Sequence, residues 1–597
     1  LIASPHASGR LYFAANKVFR SDDYGNSWEV ISEDLTKQIN RNELKIMDKV
    51  WSIDAVAKNR STSPYGTIVA MSESTLDPNL IIVGTDDGNV QVTNNGGKTW
   101  STSRSIPGAP SNAYVNAVFA SHHDANVVYL ALNHHKYGDF KPYIYKSVDQ
   151  GKSWKSINSN LPDRGSVYAI EEDHVDPNLI FCGTEFGVFF SSNQGSNWKQ
   201  LKAGVPTVAV RDLAIQKREN DLVLGTFGRG FYVLDDYSAL RNLGNGSIVG
   251  DAKLFPTRTA LAYEQSKPLG LPGKAFQGDA YYTGENLDPV AMLTYYYGKK
   301  HETLEDGRKE KEKENTKNKR GNTYPSYDEL KAEGEELPTN LLFTIKDDSG
   351  KIVRKIFKKP GKGIQRIHWD LRYASKEPVS LGGSGFYNPF ASVPKGNLVA
   401  PGSYTVEMGI MENGSYTKLA EPETVMVKAL NNAAIPNTDK EGTVVFQREV
   451  HELSRSISGA GNMMSELGNK LKHIREAIKL VEQPYADLFN DYNMIDRKMK
   501  DIRTRLYGDS YKSKLDIDQI PSPATRVGWI SYEQGSSTSA PTKTHMESLA
   551  IAKEEFAPIL SDLKDLIKND LYNLEKKLEE ADAPYTPGRS IQLLFEK

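Results

Sequence analysis

One eight-residue pattern, S/T-x-D/N-x-G-x-x-W, occurs four times in the first third of the chain, at Ser21–Trp28, Thr93–Trp100, Ser147–Trp154 and Ser191–Trp198. Asp23, Asn95, Asp149 and Asn193 carry side-chain oxygens that reach backbone amides nearby, and Gly25, Gly97, Gly151 and Gly195 accept positive φ, so each copy reads as a self-closing turn. Trp28, Trp100, Trp154 and Trp198 follow three residues later, where a returning strand lays an apolar ring over the hairpin or between sheets. Short β-rich runs precede the turns, and the phrase Asp77-Pro78-Asn79-Leu80-Ile81 with Gly84-Thr85 recurs as Asp176-Pro177-Asn178-Leu179-Ile180 with Gly183-Thr184.

The four tryptophans lie 72, 54 and 44 residues apart. A unit of about 45 residues with insertions has the period of a four-stranded propeller blade. Four such blades and a fifth without the pattern, Val208–Asp235, are expected within residues 1–240. The pattern resembles the Asp-box, or bacterial neuraminidase repeat, of β-propellers. In families that carry it the box braces an outer hairpin of each blade, away from any active site. The resemblance therefore implies structural roles for Asp23, Trp28, Asn95, Trp100, Asp149, Trp154, Asn193 and Trp198. Leu1 opens inside a blade-like run, so the five blades are expected either to close a ring of their own or, the reading preferred, to be the C-terminal blades of a larger ring completed by earlier ones.

Composition narrows the functional classes. A net charge of −2 over 597 residues gives no general electrostatic case for nucleic acid or an anionic membrane as partner. No run of 18 apolar residues exists to form a transmembrane segment. The single cysteine, Cys182, stands in an apolar strand and forms neither an intrachain disulfide nor a thiolate cluster. His122 and His123 fall between first and second strands of one blade, whereas His134 and His135 fall between second and third. The pairs belong to opposite ends and share no ion, so no metal and no cofactor is expected.

Past the blades the texture changes. Residues 251–430 read as a second all-β unit, with strands at Val290–Tyr297, Leu341–Lys346, Lys351–Phe357, Ile364–Leu371, Gly402–Met411 and Thr424–Lys428. Within it, 15 of the 22 residues from Lys299 to Arg320 are charged, with mixed signs and no apolar period, which reads as a solvated loop or frayed helix. The Ser349-Gly350 hairpin, His368-Trp369-Asp370-Leu371-Arg372 and Ala400-Pro401-Gly402-Ser403-Tyr404 resemble the immunoglobulin-like β-sandwich of flagellar hook-capping proteins. Residues 440–597 carry three apolar seams at helical steps, from Phe446 to Val481, Leu488 to Leu506 and Leu549 to Leu578, separated by Pro484 and by a polar loop holding Pro521, Pro523 and Pro541. The expected class is multidomain and mainly β: an Asp-box β-propeller, a β-sandwich and a three-helix bundle.

The combination is similar to the sortilin-type, glycosyl-hydrolase-like propeller proteins of bacterial envelopes, with Gly225-Thr226-Phe227-Gly228-Arg229-Gly230 matching their closing motif except that Phe227 stands where His is usual. That resemblance implies an exported protein at the cell surface, in the periplasm or outside, and a binding role toward a protein, a peptide or a glycan. Ligand-contacting residues are expected on the loops joining second to third strands: Asp86, His134, His135, Tyr137, Phe186 and Arg229. Two functions of different class follow. In the first the chain is a non-enzymatic binding and scaffold protein. In the second it is a glycoside hydrolase in which Asp87 and Glu185 supply the paired carboxylates.

Overall fold

The computed structural model describes residues 1–58, 60, 65–103, 106–202, 204–244, 250–265, 278, 288–379, 381, 395–431, 433, 435–482 and 484–589. The chain is mainly β with a C-terminal helical region, and it divides into two compact units, Leu1–Val249 and Gly250–Lys597.

The first unit is a run of five antiparallel sheets, each formed by strands that follow one another in sequence. The first comprises Ile2–Ala3, Leu11–Ala14, Val18–Ser21 and Glu29–Val30; the second Ile68–Glu73, Ile81–Thr85, Val90–Thr93 and Ser101–Thr102. The third comprises Tyr114–Ala120, Val128–His134, Asp139–Ser147 and Lys155–Ser156; the fourth Val167–Glu172, Ile180–Thr184, Gly187–Ser191 and Lys199–Leu201. The fifth has three strands, Val210–Gln216, Asp221–Thr226 and Phe231–Leu234. Alternation along each strand sends one set of side chains to the sheet before and the other to the sheet after. Tyr12 and Val18 of the first sheet pack on Ile81 and Val83 of the second. Ile82 and Val92 pack on Val115 and Leu130, Tyr129 and Ile144 on Ile180 and Cys182, and Phe181 and Phe190 on Leu222 and Leu224. Successive meanders stacked face to face in this way are β-propeller blades.

The four repeated turns close third strand to fourth by the same bonds. In the third sheet the Ser147 hydroxyl donates to Asp149 Oδ1 at 2.7 Å and accepts from Gly151 N–H at 2.8 Å, while Asp149 Oδ1 accepts from Ser153 N–H at 2.8 Å. Asp23, Asn95 and Asn193 accept from the amides of Ser27, Thr99 and Asn197 at 2.9, 3.0 and 2.9 Å. Gly25, Gly97, Gly151 and Gly195 have φ of 90, 93, 79 and 84°, the left-handed region in which glycine carries no Cβ penalty. The tryptophan then reaches backward to the sheet before. Trp100 Nε1 donates to the Ile31 carbonyl at 3.0 Å, Trp154 Nε1 to Ser103 Oγ at 2.6 Å and Trp198 Nε1 to the Ile157 carbonyl at 2.7 Å. Ile31, Ser103 and Ile157 each follow the fourth strand of their own sheet. Trp28 instead donates to Gly25 of its own turn at 3.1 Å and remains 42% exposed, against 3% for Trp198.

In the second unit a three-stranded sheet (Ala252–Leu254, Ala291–Tyr297, Gly363–Trp369) shares one core with a six-stranded sheet. The latter runs Ala260–Ala262, Glu423–Ala429, Gly402–Glu412, Asn340–Lys346 and Ile352–Lys358, with Ser415–Lys418 also paired to Gly402–Glu412. Leu293, Tyr295, Phe343, Trp369 and Met408 fill the space between them. The charged stretch is helical: Leu304–Lys317 and Tyr327–Glu335 each begin with a capping box, at Thr303 and Ser326, and Arg308 pairs with Glu333 through Nε at 2.7 Å and Nη2 at 2.9 Å. Neither helix buries a residue, so capping and charge pairing take the place of an apolar seam.

Helices Lys440–Ile478, Ala486–Tyr507, Pro523–Gly535 and Lys543–Asp565, the last continuing through a π-helical segment (Leu566–Leu571) into Tyr572–Glu580, enclose one apolar core. The segment read as a polar loop thus contains a helix, Pro523–Gly535, and a short one at Ser510–Lys514. Ser522 caps the former by accepting from Thr525 N–H, and Pro523 occupies the first helical position, where its missing N–H costs nothing. Val527 and Ile530 enter the core, one turn apart.

Candidate functional site

The end of the sheets opposite the four tryptophan turns is formed by the turns between second and third strands and by the connections entering each first strand. In the second sheet these two parts are tied by carboxylates. Asp86 Oδ1 accepts from Gly66 N–H at 3.0 Å and Thr67 N–H at 2.7 Å. Asp87 is 0% exposed and accepts from Lys37 N–H at 2.8 Å and from the Thr85 hydroxyl. Both groups are engaged by donors of the fold itself, as a buried or half-buried carboxylate requires.

In the third sheet the loop after Val128–His134 presents an aromatic pair. His134 stacks on Tyr137 with ring centroids 4.3 Å apart and planes 8° from parallel, and Tyr137 is 62% exposed. Burial lowers the His134 pKa, keeping the ring neutral at pH 7, and its buried Nδ1 has no hydrogen-bond partner among the described residues. His135 Nδ1 bonds to the Asn133 side-chain oxygen, and Lys136 lies over the Tyr114 ring at 5.4 Å.

The fourth and fifth sheets contribute a denser group. The Tyr168 hydroxyl donates to Glu185 Oε2, and Arg211 Nη2 stands 3.8 Å from the same oxygen. Burial, with the carboxylate's help, pushes the Tyr168 hydroxyl up to about 12. The Arg211 guanidinium covers the Tyr168 ring at 3.7 Å and approaches the Phe227 ring at 5.4 Å. Phe186, Phe227 and Arg229 are exposed. Asp87 and Glu185 thus belong to separate clusters and share no hydrogen-bond partner among the described residues.

A backbone device repeats at this end. The pairing register slips by one residue near the start of the first strand in sheets two to five, at Val69, Asn116, Tyr168 and Arg211. A bulge of this kind re-aims one side chain out of the alternation. The same scaffold position therefore holds an apolar, an amide, a phenolic and a guanidinium group in turn, the Asn116 amide bonded to the Val167 carbonyl and to Asn133, and Tyr168 buried under Arg211. Tyr168 and Arg211, adjacent members of that series, are the residues that motif reading passed over. Short runs such as Val167–Glu172 carry no sequence mark for a slipped register.

At the opposite end, buried acids join neighbouring sheets. Tyr12 donates to Glu73 and Tyr129 to Glu172, each at 3.1 Å, while Arg241 holds the fully buried Asp173 at 2.7 and 2.8 Å. His122 and His123 lie here, His123 Nε2 being 2.7 Å from the Asp173 carbonyl, and so apart from His134 and His135. Among the described residues no group of three or more His, Cys, Asp or Glu side chains is placed to hold a metal ion. Burial pushes the Cys182 thiol pKa up, leaving it a neutral core residue.

No protein-family model matches the chain, and no curated protein matches it. Among solved structures it is similar to YCF48 bound to D1 peptide, at 18% identity over 28% of this chain and 51% of that one, with a TM-score of 0.23. It is also similar to an ancestral GH74 enzyme (14% identity, 70% of this chain and 45% of that one, TM-score 0.30) and to the GH74 xyloglucanase from Xanthomonas campestris (11%, 49% and 41%, TM-score 0.29). The chain spans about half the length of these proteins, or less. The blade architecture is defined by the sheets' own order and packing. No helix among the described residues is long and apolar enough to cross a membrane.

Proposed function

We propose that this chain is a non-enzymatic binding and scaffold protein of the bacterial cell envelope, and that its propeller blades engage a partner through the face carrying the second-to-third-strand turns. The observation that carries this reading is the repeated bulge. A backbone position repeated in four sheets lets a scaffold vary its side chains, and here it exposes Val69 and Arg211 while Asn116 and Tyr168 brace the fold beneath. Around it stand Tyr137, Phe186 and Phe227, aromatic rings of the kind that anchor binding partners. Envelope location is what the resemblance to sortilin-type propellers implies.

The burial of Asp87 weighs against its pairing with Glu185 across a sugar, because a general acid or nucleophile must reach the scissile bond. The test compares wild type with Tyr137→Ala, Phe186→Ala and Phe227→Ala in pull-downs from envelope extract, and assays a glycan panel alongside. Retention by wild type, loss in the aromatic variants and no turnover are expected. Turnover that Asp87→Asn or Glu185→Gln abolishes, with circular dichroism unchanged, makes the chain a glycoside hydrolase and overturns the proposal.

A further inference from the structure

Two groups of rings and cations stand on this face, Arg164 over Phe140 and Arg211 between Tyr168 and Phe227, with Phe186 on the turn between them. Gly165 N–H donates to the Phe140 carbonyl at 2.8 Å, and the Arg164 guanidinium lies over the Phe140 ring at 5.4 Å. Phe186 flanks Gly165: a Cβ built on that glycine falls 3.6 Å from Phe186 Cδ2. Glu185, next to Phe186, donates its N–H to the Ser166 carbonyl at 3.0 Å and accepts the hydroxyl of Tyr168, which is buried beneath Arg211; Arg211 in turn approaches Phe227. Phe227 N–H closes the series on the Ala209 carbonyl at 2.9 Å.

We infer that this surface, Phe140, Arg164, Phe186, Arg211 and Phe227, with the buried Tyr168 supporting Arg211, is a docking site for an extended acidic peptide segment. The inference rests on the proposed binding role and specifies its partner. A guanidinium lying flat on a ring spends its π face and keeps its in-plane N–H donors, which match a carboxylate two at a time. Among the described residues Arg164 has a ring beneath it and no carboxylate partner. Its neighbour Asp163 is exposed and pairs with neither arginine. Arg211 has one carboxylate near it, and that oxygen already accepts the Tyr168 hydroxyl. Each cation therefore rests on a ring with donors to spare, Arg164 before the first strand of the fourth sheet and Arg211 within the first strand of the fifth, so a chain crossing both sheets meets two carboxylate acceptor sites. A sugar chain fits less well. Pyranose rings dock on open aromatic faces, and here guanidinium groups cover a face of Phe140 and of Tyr168 and approach Phe227.

The probe is a fluorescein-labelled peptide in which Glu alternates with Ser and Phe, its Lys counterpart serving as control and an oligogalacturonate as the non-peptide polyanion, read by anisotropy with the whole chain. The Glu peptide binds, weakens as salt rises, and loses about tenfold in affinity with Arg164→Gln or Arg211→Gln, the effect of removing one charge-assisted contact. Arg211→Lys, which keeps the charge and loses the planar fork, falls between. Equal binding of the Lys peptide, indifference of the Glu peptide to both Gln variants, or tighter arginine-dependent binding of oligogalacturonate overturns the inference. If the aromatic variants still lose their envelope partner while the Glu peptide ignores the arginines, the binding face stands and the acidic partner falls. If neither responds, both fall.

Discussion

Trp198 and Trp28 occupy the same place in the repeat, and replacing each by alanine measures what docking onto a preceding sheet contributes. Trp198 is 3% exposed and donates to the Ile157 carbonyl, whereas Trp28 is 42% exposed and bonds only within its turn. Loss of a fully buried Trp costs about 3–5 kcal/mol from lost burial and the cavity left behind. At position 198 the orphaned Ile157 carbonyl adds about 1 kcal/mol. Trp28 buries a little over half of its surface and leaves no partner in another sheet, so about 1–2 kcal/mol is expected there. A unit of this size shifts about 2–4 °C in melting temperature per kcal/mol. Trp198→Ala is thus expected to lower the melting point by roughly 8–24 °C and Trp28→Ala by roughly 2–8 °C. Thermal unfolding followed by tryptophan fluorescence reads mainly the first unit, which holds five of the seven indoles. Equal shifts would refute the argument that the indole acts by gripping the sheet before it.

Four further outcomes follow from the same geometry. Asp149→Asn should be tolerated, since Asn95 and Asn193 serve the same turn, while Asp149→Ala should cost about 1–2 kcal/mol by urea unfolding. The hydroxyls and amides around Asp23 and Asp149, led by those of Ser27 and Ser153, hold both carboxyls at about 2, below the ordinary aspartate value of about 3.9. Their stabilisation is present above about pH 4 and lost as pH falls toward 2. Melting temperatures of an Asp23→Asn/Asp149→Asn double variant should therefore fall less steeply with acid than those of wild type. Asp173→Asn should destabilise by about 3–5 kcal/mol in urea, because it breaks the ion pair of a fully buried carboxylate and strips the half-buried Arg241 of its charge partner. Glu29→Gln, at the exposed Arg20 pair, should cost under about 1 kcal/mol.

The periodic parts of this molecule were legible in its sequence. A turn that closes on its own side chains is encoded within eight residues, and the seams of Val450, Ile457, Met464 and Leu471 are encoded by spacing alone. Reading failed where the signal was masked or non-local. Prolines hid the helix from Pro523 to Gly535, although one of them was its start. The candidate loops were placed from strand order, and Tyr137, Phe186 and Arg229 are exposed upon them. Asp86 and Asp87, by contrast, look like free acids in sequence and are consumed by the amides of Gly66, Thr67 and Lys37. No sequence rule anticipates those bonds, because their donors lie 19 to 50 residues away along the chain. Tyr168 and Arg211 escaped for a related reason: a one-residue slip in strand pairing has no composition of its own.

The backward reach of Trp100, Trp154 and Trp198 gives the stack a grain. The second, third and fourth sheets each find their acceptor in polypeptide made before them, so during synthesis each of these blades emerges beside a finished seat and can lock without waiting for what comes next. Whole blades can for the same reason be duplicated between existing ones, since an added unit brings its own indole forward to a carbonyl already in place and offers another to its successor.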